Sequence, residues 1–209
     1  MLAVQNFLVK ERAAILKTVD IYDIFNADTG EQVGIAEECP PSWVKLLRWF
    51  ITKKLMPTRI EIREHPSGAL IAALKKPVAL FRPVVEVFDG ENRRLGYFRA
   101  KFISIGGGFY VYDENDKQVA EVKGKWHGWD FKFVTPEGSE LGRVTKKWAG
   151  LAKELFTSAD NYVVSIADFL AEQPIAKILL LSAALAIDSV YYEQSGKPTV
   201  QATWSPHAC

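Results

Sequence analysis

The residues best spaced for chemistry in this chain are spaced to meet phosphate or an ion. Between Ser42 and Met56, Trp43, Leu46, Leu47, Phe50 and Ile51 recur at helical spacing. Lys45, Arg48 and Thr52 fall on the other side, Trp49 lies at the margin, and Lys53 and Lys54 crowd the end. A helix of that composition, capped by Ser42 and stopped by Pro57, suits a membrane interface. Its apolar side chains would enter lipid and its bases meet phosphate. The same pattern also suits a helix capping one end of a protein core. Lys123, Lys125, Lys146 and Lys147 alternate with Trp126, Trp129 and Trp148. These form a second candidate headgroup patch, or else ordinary solvated strand faces. The adjacent Asp160 and Asn161 are a candidate for a reduced ion site, or for turn capping by two short polar side chains.

The patterns that mark catalysis are missing from the sequence. His65, His127 and His207 are too scattered for a zinc site. There is no GxSxG nucleophile elbow. Gly106, Gly107 and Gly108 lack the following Lys-Ser/Thr of a phosphate loop and read as a hairpin link. With no nucleophile, base and orienting group in view, no enzyme is expected.

Bulk properties narrow the setting. A chain of 209 residues can build one large domain with its own core. The formal net charge is +1, so attraction to an anionic surface must be local, and nucleic acid is not an expected partner. Cys39 and Cys209 are the two cysteines, which is no disulfide framework and fits a reducing compartment. Lys10, Glu11 and Arg12 interrupt the first apolar stretch, unlike a secretory signal. The terminal Ser205-Pro206-His207-Ala208-Cys209 is not a prenylation box. The expected location is the cytoplasm.

The elements that must carry these residues are hairpins. Five times a turn residue is followed three places later by an aliphatic residue and then by Gly or Ala. The copies are Gly30–Val33–Gly34, Gly68–Ile71–Ala72, Asn92–Leu95–Gly96, Asp116–Val119–Ala120 and Gly138–Leu141–Gly142. Each follows a run that alternates aromatic, aliphatic and polar residues, the signature of a β-hairpin. Ten to twelve strands are expected, enough to close a sheet on itself. Phe7 to Thr18 carries no clear period. Near the other end, Pro174 opens an apolar helix that runs to about Glu193. Its length, roughly 27 Å over 18 residues, approaches a bilayer core. Lys177 and Asp188 interrupt it, however, and a helix apolar on all sides must be enclosed. The barrel supplies the enclosure, so the helix is expected to thread it. One domain over residues 1–209 follows, with barrel and helix over 18–193, a helical insertion at 42–56 and a loosely held tail at 194–209.

The stretch Leu141-Gly142-Arg143-Val144-Thr145-Lys146-Lys147-Trp148-Ala149-Gly150 resembles the glycine–basic–tryptophan segment of phospholipid scramblases. Glu154 to Tyr162 and the helix ending Ala186-Ile187-Asp188-Ser189-Val190-Tyr191-Tyr192-Glu193 continue the likeness. It reaches back to about Thr18 and takes in the LURP-one-related proteins. The resemblance implies a tubby C-terminal-like fold: a mainly β, closed antiparallel barrel of about twelve strands around a central hydrophobic C-terminal helix. It also implies a membrane connection. The family's calcium segment begins with an acid, where this chain has Ser158, and Tyr162, Val164 and Ile166 add no carboxylate. Asp160 and Asn161 alone fall short of the six or more oxygens calcium takes, so no cofactor is expected. The animal cysteine cluster and proline-rich arm are also missing, so the chain is identified as a minimal, bacterial member.

The expected function is a non-enzymatic module that binds anionic phospholipid at the cytoplasmic membrane surface. Trp43, Lys45, Arg48, Trp49, Lys53, Lys54, Lys146 and Lys147 are its candidate contacts. Two other readings stay open: a soluble, LURP-one-like interaction barrel with a protein partner, and a true scramblase whose C-terminal helix enters the bilayer.

Overall fold

A computed structural model describes residues 1–12, 19–41, 44, 57–78, 84–101, 108–125, 129–146 and 161–191. Twelve antiparallel strands follow one another around a closed barrel, and β12 returns to pair with β1. They are β1 (Asn6–Glu11), β2 (Ile21–Asn26), β3 (Gln32–Glu38), β4 (Thr58–Glu64), β5 (Leu70–Lys76) and β6 (Val84–Asp89). β7 (Arg94–Ala100), β8 (Phe109–Asp113), β9 (Gln118–Lys125), β10 (Asp130–Val134), β11 (Glu140–Thr145) and β12 (Asn161–Ile166) complete it. Helix α1 (Pro174–Tyr191) follows a short 3-10 turn at Asp168–Leu170.

The fivefold sequence repeat has one physical cause. Its first residue takes a positive φ in every copy: Gly30 76°, Gly68 72°, Asn92 63°, Asp116 62° and Gly138 97°. Such left-handed residues let a tight turn join two twisted strands. The aliphatic residue three places on is then the extra residue of a β-bulge. Ile24 faces Gly34 while Phe25 faces Gln32, leaving Val33 unpaired. Ile71, Leu95, Val119 and Leu141 are left out in the same way. A bulge turns the strand and sharpens its twist, which a closed barrel needs at its rim. The Gly or Ala that follows lies against a neighbouring strand. A Cβ on Gly96 would sit 2.3 Å from the Tyr112 carbonyl and 3.2 Å from Leu179 of the helix. On Gly142 it would sit 2.6 Å from the Ser165 carbonyl.

The topology puts all five tight hairpins at one end of the barrel, here the hairpin end. The longer links 12–20, 39–57, 77–83, 101–108, 126–129 and 146–160 join strands at the other, the connection end. Helix α1 enters at the hairpin end, where buried Lys177 donates to the Leu2 carbonyl at 2.7 Å. Every residue from Lys177 to Asp188 is buried, so all faces of the helix are covered over more than three turns. The barrel's inward side chains, among them Phe7, Ile24, Phe98, Phe131 and Val164, form one core with Leu181, Leu185 and Ile187. The helix is therefore sheathed by the sheet, as its all-round apolar surface requires. No helix among the described residues is long and apolar enough to cross a membrane.

Two readings change. The stretch from Phe7, which shows no period, supplies β1, so the barrel begins before Thr18. Cys39, just past β3, is disulfide-bonded to a cysteine outside the described residues. That removes the cysteine argument for a reducing compartment, because separation along the chain does not measure what folding brings together. The 42–56 insertion lies outside the described residues apart from Val44, which is fully buried, and so does the 194–209 tail.

Candidate functional site

Of the candidate contacts, Lys146 and Asn161 are described, and both lie at the connection end. Trp43, Lys45, Arg48, Trp49, Lys53, Lys54, Lys147 and Asp160 lie outside the described residues.

Lys146 is placed by the register of its hairpin. Asp130 pairs with Thr145, which sets Trp129 and Lys146 opposite each other just beyond the last ladder pair. The Lys146 backbone N–H donates to the Trp129 carbonyl at 3.2 Å. Its Nζ lies 4.4 Å from the indole centroid, a cation–π contact that fixes the ammonium in place. The indole stacks on Tyr162 at 5.1 Å and meets Phe131 edge-on at 6.0 Å. Trp129 has a φ of 43°, a left-handed backbone rare for a bulky side chain. Such strain persists where the surrounding contacts over-determine the residue. Lys123 does not join this group: it is exposed on β9, 3.4 Å from Glu121.

Asp188, at the far end of α1, is 7% exposed. Burial above all, then the charge of Glu11, pushes its carboxyl up to about 7. The Tyr22 hydroxyl, donating to it, and the Lys146 charge pull the other way, while Asp20 adds to the rise. Burial also pushes the Tyr22 and Tyr162 phenols well above their usual range, with Asp188 the next cause for both. Among the described residues the buried Tyr162 hydroxyl has no hydrogen-bond partner. The connection end thus holds an ammonium fixed on an indole and a carboxyl able to exchange a proton near neutrality.

Asn161 opens β12 and is 1% exposed, and the next inward residues, Tyr162, Val164 and Ile166, belong to the core. Among the described residues no three His, Cys, Asp or Glu side chains converge as a metal-binding group. This donor set does not fit the oxygen-rich shell of calcium.

Charge is sorted between the two ends. The links at the hairpin end, including 167–173, carry the acids Asp28, Glu31, Glu91, Glu114, Asp116, Glu137, Asp168 and Glu172 against Arg93 and Lys117. The links at the connection end carry Arg12, Lys17, Lys45, Arg48, Lys53, Lys54, Arg82, Lys101, Lys146, Lys147 and Lys153 against Asp20, Glu154 and Asp160.

Residues 128–194 match the scramblase family model. This matched stretch is similar in sequence to that family. It comprises β10, β11, β12 and α1, and so contains Trp129, Lys146, Asn161, Tyr162 and Asp188. Over 68 residues the chain is 33% identical to phospholipid scramblase 1 of Mus musculus and to that of Rattus norvegicus. That match covers 32% of this chain and 20% of each relative. No solved structure matches the chain.

The sequence reading singled out Lys146, Lys147, Asp160 and Asn161 within the matched segment and set Lys146 in one patch with Trp129, but missed that these two are direct partners and that Asp188, Tyr22 and Tyr162 lie at the same end. Trp129 could have been paired with Lys146 by counting outward from the Pro136-Glu137-Gly138 turn. Asp188 stood out as a charge in an apolar helix. Nothing in the spacing joined it to Tyr22 and Tyr162, which belong to strands far away in sequence.

Proposed function

We propose that this protein is a non-enzymatic, scramblase-related barrel that docks on anionic phospholipid at the inner membrane surface through its connection end. The observation that carries the reading is the sorting of charge. The links of the connection end carry eleven bases against three acids; Arg12 is paired with Asp23 and Lys101 with Glu121, and the remaining excess of bases would meet lipid phosphate, while the acidic hairpin end would be repelled and turned away. Each base near an anionic surface contributes about 1 kcal/mol. Tryptophans at 43, 49, 126 and 148 fall in the same links, and indoles favour the headgroup layer, whereas Trp129 is buried. Lys146, held on Trp129, offers a positioned ammonium. The relatives are named for phospholipid scrambling, which supports a lipid role for the segment shared with them.

The enclosure of α1 favours peripheral docking over an inserted helix, because leaving the barrel would strip its core of Leu181, Leu185 and Ile187. It is also compatible with a soluble barrel of the LURP-one-related kind. Co-sedimentation with phosphatidylserine-containing vesicles separates the readings. Binding is expected at physiological salt, weakened at high salt and by Lys53→Glu with Lys54→Glu or by Lys146→Glu. A wild-type protein that stays in the supernatant refutes lipid docking and leaves the soluble barrel.

A further inference from the structure

We infer that the hairpin end of the barrel is a docking surface for a segment of another protein that presents bulky apolar side chains among lysines or arginines. The apolar part of the surface comes from the passage between β12 and α1. In the 3-10 turn Asp168–Leu170, Leu170 joins the core while Phe169 is 62% exposed. Ile175, in the first turn of α1, is 47% exposed, whereas Ile178 is buried. Ile175 and Ile178 line a cavity of about 370 Å³ together with Leu95, the bulge residue of the β6–β7 hairpin. Among the described residues the other large apolar side chain left exposed is Val78, which lies in a link of the opposite end. Apolar side chains scattered singly over a surface are ordinary. Two at the mouth that the helix enters, with a cavity beside one of them, make a patch.

The rim selects what can cover that patch. All eight acids of the hairpin-end links are exposed, against exposed Arg93 and Lys117. The arginines at the cavity edge are already engaged: Arg93 Nε donates to Asp89 at 2.8 Å, and Arg94 to Asp116 at 2.9 Å. Glu114, at the same edge, and Glu172, just before α1, are exposed and have no ion-pair partner among the described residues. The excess negative charge repels an anionic lipid surface and an acidic protein alike, and attracts a cationic one. An aliphatic or aromatic side chain seated in the cavity would take apolar carbon of Ile175 out of water, while bases beside it would face Glu114 and Glu172. An apolar anchor at the centre with charge at the rim is the anatomy of a protein interface. This surface lies at the end opposite the one proposed to meet lipid, and it needs no membrane, so the two readings fail separately.

Fluorescence anisotropy on the full chain tests it, with a short labelled peptide in which lysines flank a Leu-Phe-Leu core as the probe. Two control peptides carry serines in place of the core or glutamates in place of the lysines. The first peptide is expected to bind saturably and more weakly as salt rises, and each control about tenfold more weakly or less. Phe169→Ser with Ile175→Ser, and Glu114→Lys with Glu172→Lys, change exposed side chains only. Each pair should weaken the first peptide about tenfold while the circular dichroism stays that of the wild type. A wild type that does not bind the first peptide overturns the inference, and so does equal binding by the wild type and either folded variant. If Phe169→Ser with Ile175→Ser instead abolishes binding to phosphatidylserine vesicles, or a self-association of the wild type seen in sedimentation velocity, the occupant is lipid or a second copy and the inference is likewise overturned.

Discussion

Asp188→Asn isolates the one carboxyl that the barrel buries at the end of its helix. Its pKa rises from the ordinary 3.8 to about 7 on folding, chiefly through burial. Each unit is 1.36 kcal/mol, so the ionised side chain costs the native state about 4 kcal/mol at alkaline pH. The sign follows from where protons bind. Below the unfolded value both states hold the proton and the cost is absent. It grows as pH rises between the two values, and above about 7 it is complete. At about pH 5 it has reached somewhat over a third of that by the same linkage. Asparagine keeps the shape and an acceptor for the Tyr22 hydroxyl but never ionises. The stability difference, variant minus wild type, should therefore shift in favour of the variant by about 2–3 kcal/mol between about pH 5 and about pH 8. Urea denaturation of both proteins at both pH values reads it, and the double difference cancels the other carboxylates, such as Glu61 and Asp89, whose values are lowered. A difference that is the same at the two pH values would refute a buried, ionising Asp188.

The bulge repeat makes two further predictions. Gly96→Val must move the Tyr112 carbonyl and crowd Leu179 as well, and should cost on the order of 1–3 kcal/mol of stability. An unchanged thermal midpoint would show that the small residue after the bulge has no packing role. Asn92 sits at φ 63°, so Asn92→Val should cost about 1–2 kcal/mol while Asn92→Gly is tolerated. Equal melting curves for the two variants would remove the left-handed turn from the account.

How much could be read beforehand depended on whether local chemistry or distant packing decided each feature. Hairpins were legible because a left-handed turn residue and an alternating strand are local requirements. The bulge was not, although its residue recurs in all five copies, because an unpaired residue is defined only against the opposite strand. β1 escaped for a different reason. Phe7, Leu8 and Val9 are all fully buried, with Phe7 and Val9 in the barrel core and Leu8 packed against Val163 on the other side. With both faces covered, the period of two that marks a strand disappears.

The site shows the same division. An apolar helix interrupted by Asp188 announced enclosure and an expensive charge together, but not the tyrosines that receive it. The charge sorting was hidden more completely. Hairpin links and long links alternate along the chain, so acids and bases interleave and their sum is +1. An up-and-down barrel sends every second link to the same end, and that separates what the sequence mixes. A nearly neutral chain thereby gives the links of one end mostly bases and those of the other mostly acids. The proposed docking on lipid draws on that sorting: it needs the bases gathered at one end and the acids held away from the membrane.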